Sequence, residues 1–262
     1  MGQGSITMFK GEPELSRARG VKAQRRQQYQ QPMMEENTIS FHPVAKIQRR
    51  PINLLPKSRG QERLVLSLLN ETTAITVAVG PAGTGKTYLA MQAAIKALRA
   101  GDVERIILTR PAIGVEDEQH GFLPGDINQK MEPWTRPLLD VLREYYHPRE
   151  IAKMLEDQVI EISPLAFMRG RTFKKAWIVA DEMQNATPGQ MKMLLSRIGE
   201  GSKITVTGDV EQADRKTQDN GLIDLSTRLA QQGVPGLDIV QLSGRDIQRH
   251  PMINSILELY QD

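Results

Sequence analysis

Eight residues constrain this chain more than any others: Gly80-Pro81-Ala82-Gly83-Thr84-Gly85-Lys86-Thr87 completes the pattern G-x-x-x-x-G-K-T. Glycines at these places let successive backbone N–H groups turn inward around phosphate oxygens. Lys86 brings a positive charge for the β and γ phosphates, and Thr87 brings a hydroxyl for Mg²⁺. The flanks suit the motif. Ile75-Thr76-Val77-Ala78-Val79 is an apolar, β-branched run that predicts a buried strand entering the loop. Tyr88-Leu89-Ala90-Met91-Gln92-Ala93-Ala94-Ile95 predicts a helix leaving it. Strand, loop and helix in that order predict an α/β core that binds a nucleoside triphosphate.

The remaining pattern repeats the same alternation. Strands are predicted over Arg105-Ile106-Ile107-Leu108-Thr109, Gln158-Val159-Ile160-Glu161-Ile162, Ala176-Trp177-Ile178-Val179-Ala180, Lys203-Ile204-Thr205-Val206-Thr207 and Asp238-Ile239-Val240-Gln241-Leu242. Helical spacing runs from Asn128 to Tyr146, with Pro133 and Pro137 as possible kinks, and from Pro188 to Ile198; a last helix is predicted over 251–260. A turn-rich element occupies 121–126. Strands alternating with helices imply a mostly parallel sheet covered by helices on both faces. Ligands of such sheets gather beyond the carboxyl ends of the strands. Here those ends carry the phosphate loop, Arg110, Asp181-Glu182 and Gly208-Asp209.

Composition removes other chemistries. The chain has no cysteine, so disulfides, thiolate metal sites and cysteine nucleophiles are excluded. His42, His120, His147 and His250 lack metal-ligand spacing. No apolar run approaches the roughly 20 residues of a membrane span, and the polar N-terminus is unlike a signal peptide, so a cytoplasmic location without membrane contact is expected. The net charge of +3 is uneven: residues 1–50 hold nine Lys/Arg against four Asp/Glu, while the rest hold twenty-five against twenty-seven. This basic, Gln- and Arg-rich leader is either a nucleic-acid-binding arm or a solvated tail. Pro43, Pro51 and Pro56 mark a linker from Ile39 to Pro56. The expected division is therefore a leader over 1–50 and a catalytic domain over 51–262.

Asp181 and Glu182 end an apolar strand, as in a Walker B motif. Asp181 is placed in the Mg²⁺ shell beside Thr87, and Glu182 is placed to position and polarise an attacking water. Gln212, three residues beyond Asp209, is an amide suited to sensing the γ phosphate.

Two of these segments resemble helicase motifs. Asp181-Glu182-Met183-Gln184-Asn185 is similar to the D-E-A-Q-N box of superfamily 1 helicases, and Thr207-Gly208-Asp209-Val210-Glu211-Gln212 to their G-D-x-x-Q motif. More specifically the chain resembles the PhoH family, from about Asn53 to Tyr260. The segments that carry the resemblance include the phosphate loop with Tyr88, Thr109-Arg110-Pro111, Gly121-Phe122-Leu123-Pro124-Gly125-Asp126, Met168-Arg169-Gly170-Arg171-Thr172-Phe173 and Arg249-His250-Pro251. Met183 stands where the family usually has Ala, His120 where Leu is usual, and Asp214-Arg215-Lys216 where Asp-Leu-Pro is common.

The resemblance implies a RecA-like P-loop ATPase core corresponding to the first motor domain of a helicase, using ATP and Mg²⁺. Residues Gly80 to Thr87 and Tyr88 form its expected nucleotide site. Gln61, nineteen residues before Gly80, matches a glutamine that reads the adenine edge in helicase-like proteins. An arginine finger is worth about 10³–10⁵ in rate, and helicases supply it from a second motor domain. A neighbouring subunit of a homo-oligomer is expected to supply it here; the resemblance favours a hexameric ring, with Arg249 as the preferred finger and Arg169 and Arg171 as rivals. Two functions follow. One is a motor or remodeller acting on single-stranded nucleic acid, RNA by resemblance, with the leader and the Arg110 loop as contacts. The other is a nucleotide-dependent switch or assembly protein without unwinding activity, which the low aromatic content of 5% favours. A small-substrate kinase is a weaker third, since Glu182 suits water activation better.

Overall fold

Six short apolar segments pair side by side: β1 (Ile75–Val79), β2 (Arg105–Thr109), β3 (Ile160–Ile162), β4 (Ala176–Ala180), β5 (Lys203–Gly208) and β6 (Leu237–Gln241). The structure, a computed structural model, describes residues 50–111, 127–213, 220–248 and Met252, with side chains omitted over 127–134. The expectations for the leader, for residues 112–126 and 214–219, and for Arg249 and the last helix lie outside the described residues.

The sheet runs in the order β3-β2-β4-β5-β1-β6, and every described pairing is parallel. Thus β5 lies between the loop-bearing β1 and β4, the strand that ends at Asp181. This is the α/β arrangement that the alternating pattern predicts, and the RecA-like core that the resemblance implies. All strands therefore point their carboxyl ends to one edge, where the polar residues collect.

Alternation within each strand divides the core in two. Ala78, Ile106, Leu108, Trp177 and Val179 face one side; Val77, Val79, Ile107, Ile178 and Val206 face the other. The first side is covered by α1 (Arg59–Leu69), α2 (Lys86–Ala100), α3 (Ile127–Arg143) and α4 (Pro148–Glu156), the second by α5 (Pro188–Leu195) and α6 (Gly221–Gln231). Each large aliphatic side chain removed from water contributes about 1.5–3 kcal/mol. In α2 the small residues Ala90, Ala93, Ala94 and Ala97 are all buried, which lets the helix that leaves the phosphate loop lie close on the sheet.

Helix boundaries follow local chemistry. A capping box joins Thr187 and Gln190 around Pro188 at the start of α5, and another joins His147 and Glu150 around Pro148 at the start of α4. The Asn220 side chain accepts from Leu222 and Ile223 to start α6. The predicted helix over Pro188 to Ile198 stops at Leu195: Arg197 donates to Met193 O, and Ile198 turns to bridge Phe173. Strand β3 is shorter than predicted because Gln158 has φ 56, outside the range a ladder accepts. Strand β6 sits one residue earlier than predicted, and α3 runs through Pro133 and Pro137 as one element.

Candidate nucleotide-binding site

The phosphate loop leaves β1 and folds back on itself. Gly85, at φ 82, is the N-cap of α2, and a Cβ there would lie 3.1 Å from the Gln61 amide nitrogen, so glycine suits both the backbone and the space. No side chain caps the helix, which leaves its first N–H groups for an anion. Lys86 Nζ donates to Gly80 O at 2.6 Å and to Pro81 O at 2.8 Å, so the ammonium is held inside the loop. Thr84 is fully buried and donates to Pro81 O at 2.8 Å.

Strand register brings the second half of the site to this loop. Val79 pairs with Gly208, and Ala180 with Val206. Asp181 therefore emerges beside Thr207, whose hydroxyl donates to Asp181 Oδ1 at 2.5 Å. Thr87 donates to the same oxygen at 2.6 Å. Asp181 is buried and meets two hydroxyls, one from the loop and one from β5. At Gly208 a Cβ would lie 2.5 Å from the Leu222 side chain and 2.9 Å from Gln184 Oε1, so a larger residue here would displace the Gln184 amide.

A chain of hydrogen bonds then runs through four residues. Glu182 has φ 53 and ψ 39, an unusual backbone for a non-glycine residue, and turns its half-buried carboxylate toward Gln184. Gln184 Nε2 donates to Glu182 Oε2 at 2.5 Å, and its Oε1 accepts from Asp209 N at 3.1 Å. Asp209 Oδ2 in turn accepts from Ala82 N in the phosphate loop at 2.9 Å. The acid after β4, the loop after β5 and the loop after β1 are thereby tied together.

These groups surround one cavity of about 250 Å³, whose lining includes Gly85, Lys86, Thr87, Tyr88, Asp181, Glu182, Asp209 and Gln212. The structure thus brings the phosphate loop, both acids and Gln212 to one cavity. Gln61 is placed differently. It is buried against the loop, donating to Thr84 O at 3.0 Å and accepting from Lys57 N at 2.8 Å, and it lies outside the cavity lining. Its amide holds the loop rather than facing the open space. Of the rival arginines, Arg171 pairs with Glu161 through two nitrogens and stacks on Phe173, while Arg169 is exposed. The hydrogen bond to Glu161 also raises the Arg171 pKa. Arg249 lies outside the described residues; the residue before it, Gln248, donates its backbone N–H to Gly83 O at 2.9 Å.

The model of the PhoH-like protein family matches residues 53–261. The chain belongs to the PhoH family. A PhoH-like protein of Bacillus subtilis is 43% identical over 205 residues, covering 78% of this chain and 63% of that protein. One from Synechocystis is 46% identical over 188 residues, covering 71% of this chain and 56% of the relative. The matched part of the chain therefore spans only about three fifths of these relatives. Among solved structures, the Pif1 helicase from Candida albicans aligns with a TM-score of 0.37 at 15% identity, over 78% of this chain and 44% of that one.

The PhoH-family site has the donors that Mg²⁺ and a triphosphate need. Among the described residues no three His, Cys, Asp or Glu side chains cluster as a cage. One carboxylate and one hydroxyl 2.6 Å apart, Asp181 and Thr87, instead match the way Mg²⁺ is held with few protein ligands, water and phosphate. Two contributors escape a residue-by-residue reading, Thr207 and Gln184, while Asp209, noted at its strand end, gains a contact to the phosphate loop. Each stands inside a segment that resembles a helicase motif. What the sequence lacks is the register that makes Thr207 a neighbour of Asp181 and the fold that makes Gln184 a bridge.

Proposed function

We propose that this chain is a Mg²⁺-dependent ATPase whose cycle is coupled to binding or remodelling of single-stranded nucleic acid, RNA before DNA. The observation that carries the reading is the convergence of Lys86, Thr87, Asp181, Glu182 and Gln212 on one cavity. Lys86 and the first N–H groups of α2 bind and orient the phosphates. Asp181 and Thr87 would hold the Mg²⁺, which would supply positive charge to offset that of the phosphates. Glu182 orients a water in line with the γ phosphorus; the water's oxygen bonds to phosphorus as the bond to the β-bridging oxygen breaks, giving ADP and inorganic phosphate. Gln212 contacts the γ phosphate and loses that contact on its release.

Nucleic acid is assigned to the same sheet edge. Arg110 follows β2, and its carbonyl accepts from Leu165 N at 3.3 Å, which ties it to the turn carrying Phe167. Phe167 is 57% exposed and Arg169 is exposed beside it, an aromatic face with cations as single strands require. The basic leader over 1–50 is assigned as an additional arm, and residues 51–262 as the ATPase domain. Among the described residues no helix is long and apolar enough to cross a membrane. A homo-oligomer, a hexameric ring by family resemblance, supplies the arginine finger in this reading, and the cytoplasm is its compartment.

Phosphate release by the purified chain, measured with and without single-stranded RNA or DNA at several salt concentrations, tests the coupling. Stimulation that weakens with salt is expected. ATP hydrolysis with neither stimulation nor binding by either polymer would leave an ATPase and remove the nucleic acid.

A further inference from the structure

Among the described residues two buried side-chain polar atoms have no hydrogen-bond partner: the Thr109 hydroxyl and Asn220 Nδ2. Asn220 still caps α6 through its other amide atom. Thr109 has no such second role. It ends β2 with only 1% of its surface exposed, and its one polar side-chain atom is idle. A buried hydroxyl that bonds to nothing is costly, which points to a second arrangement in which it has a partner.

The place of Thr109 in the sheet limits what that partner can be. Side chains alternate along β2, so Thr109 shares the face of Ile107. Register sets it beside Ala180, two residues before Glu182. The ladder closes one step later, where Asp181 N donates to Thr109 O at 2.9 Å. Glu182 then leaves the strand through its left-handed backbone, at φ 53, and rests its carboxylate on Gln184. An idle donor and the catalytic acid thus stand at adjacent strand ends. On its other side the end of β2 is tied to the turn over Leu165–Met168. Ser163 N donates to Leu108 O at 2.9 Å, and Leu165 N donates to Arg110 O at 3.3 Å. Thr109 lies between the surface assigned to nucleic acid and Glu182.

We propose that Thr109 is the resting partner of Glu182, a positioning residue that sets how often the acid is ready. Held by Gln184, the carboxylate orients the attacking water. Held by the Thr109 hydroxyl, it is withdrawn from that water, and the buried donor is satisfied. The inference rests on the role proposed for Glu182 and on nucleic acid binding at the Arg110 end of β2. A polymer raises turnover here by binding more tightly when the acid is on Gln184, since only differential affinity can shift such a balance. The Glu182 carboxylate is the two-position element that the polymer and the nucleotide both bias.

Thr109→Val keeps the branched shape and removes the hydroxyl, whereas Thr109→Ser keeps the hydroxyl. Phosphate release and Mg-ATP affinity are measured for both beside wild type, with and without poly-uridine RNA. Thr109→Val should raise turnover without RNA by roughly two- to twelvefold, the worth of one hydrogen bond, and shrink the stimulation by RNA by the same factor. Its Mg-ATP affinity should stay at the wild-type value, and Thr109→Ser should match wild type throughout. Turnover that falls or stays unchanged in Thr109→Val would overturn the assignment, and so would weakened Mg-ATP binding. If RNA leaves wild type unstimulated, the nucleic-acid reading fails, while a faster Thr109→Val with a normal Thr109→Ser still supports the resting contact. If Glu182→Gln hydrolyses ATP at the wild-type rate, the acid itself is misassigned and the resting contact falls with it.

Discussion

Gln184 donates to Glu182 at 2.5 Å while its other amide atom accepts from the Asp209 backbone at 3.1 Å, so the acid after β4 is steered by the loop after β5. Gln184 is only 1% exposed and stands two residues from the acid it holds. The Asp209 carboxylate continues the connection to Ala82. Hydrogen bonds thus connect the phosphate loop to Glu182 through the side chains of Asp209 and Gln184.

Gln184→Ala frees the Glu182 carboxylate and leaves Asp209 N without its acceptor. The turnover number should fall on the order of 10²-fold, the scale of a misplacement near 1 Å, while Mg-ATP affinity stays near wild type. Steady-state kinetics beside equilibrium binding checks the split. Loss of affinity with turnover preserved would show that Gln184 supports the loop instead of the acid.

Thr207→Val removes one of two hydroxyls on Asp181 Oδ1 and keeps the shape of β5. The remaining donor is Thr87. The Mg²⁺ concentration for half-maximal activity should rise by roughly two- to twelvefold, from the loss of about 0.5–1.5 kcal/mol in one hydrogen bond. A Mg²⁺ titration of hydrolysis measures it, and an unchanged midpoint contradicts the role given to Thr207.

Asp246 ties the segment after β6 to the start of α1. It accepts from Gly60 N at 3.1 Å and from Ser243 N at 2.8 Å. Burial alone raises its pKa, but hydrogen bonds from Ser58, Ser243 and Gly60 outweigh that and hold it below the ordinary 3.8. A depressed carboxylate stabilises the fold above its unfolded value and loses that contribution as pH falls through the folded one. Asp246→Asn should therefore cost about 1.5–3 kcal/mol at neutral pH, and the gap to wild type should begin to narrow as pH falls below 3.8. Urea unfolding at pH 7 and pH 3 reads both; an equal gap at the two pH values would refute the assignment.

Arg249→Ala and Glu182→Gln subunits should each be inactive alone. Mixed in equal amounts they should recover about a quarter of wild-type activity, because random assembly pairs an intact acid with an intact finger at that frequency. Absence of any recovery would argue that the finger acts within its own chain, next to the loop that Gln248 already touches.

Much of this architecture is legible in the sequence because buried parallel strands announce themselves as short apolar runs. The predicted limits of β1, β2 and β4 agree with the structure residue for residue. Helices are less fully read: α1, α4 and α6, which begin at the caps Ser58, His147 and Asn220, are absent from the predicted elements. In the site, residues that would act on the nucleotide are visible because their chemistry is stereotyped. Those that position them are not. Gln184 and Thr207 depend on strand order, which brings the ends of β4 and β5 together. Gln61 marks the limit of resemblance: a residue at the expected place can be engaged in holding the loop.

The most direct measurement is single-turnover release of inorganic phosphate from Mg-ATP by the purified wild-type chain beside Glu182→Gln and Lys86→Ala. The account predicts Mg²⁺-dependent release by wild type. It predicts ATP bound but uncleaved by Glu182→Gln, with a rate lower by about 10²–10⁴-fold, and little ATP bound by Lys86→Ala. Hydrolysis by Glu182→Gln at the wild-type rate, or by wild type without Mg²⁺, would contradict it.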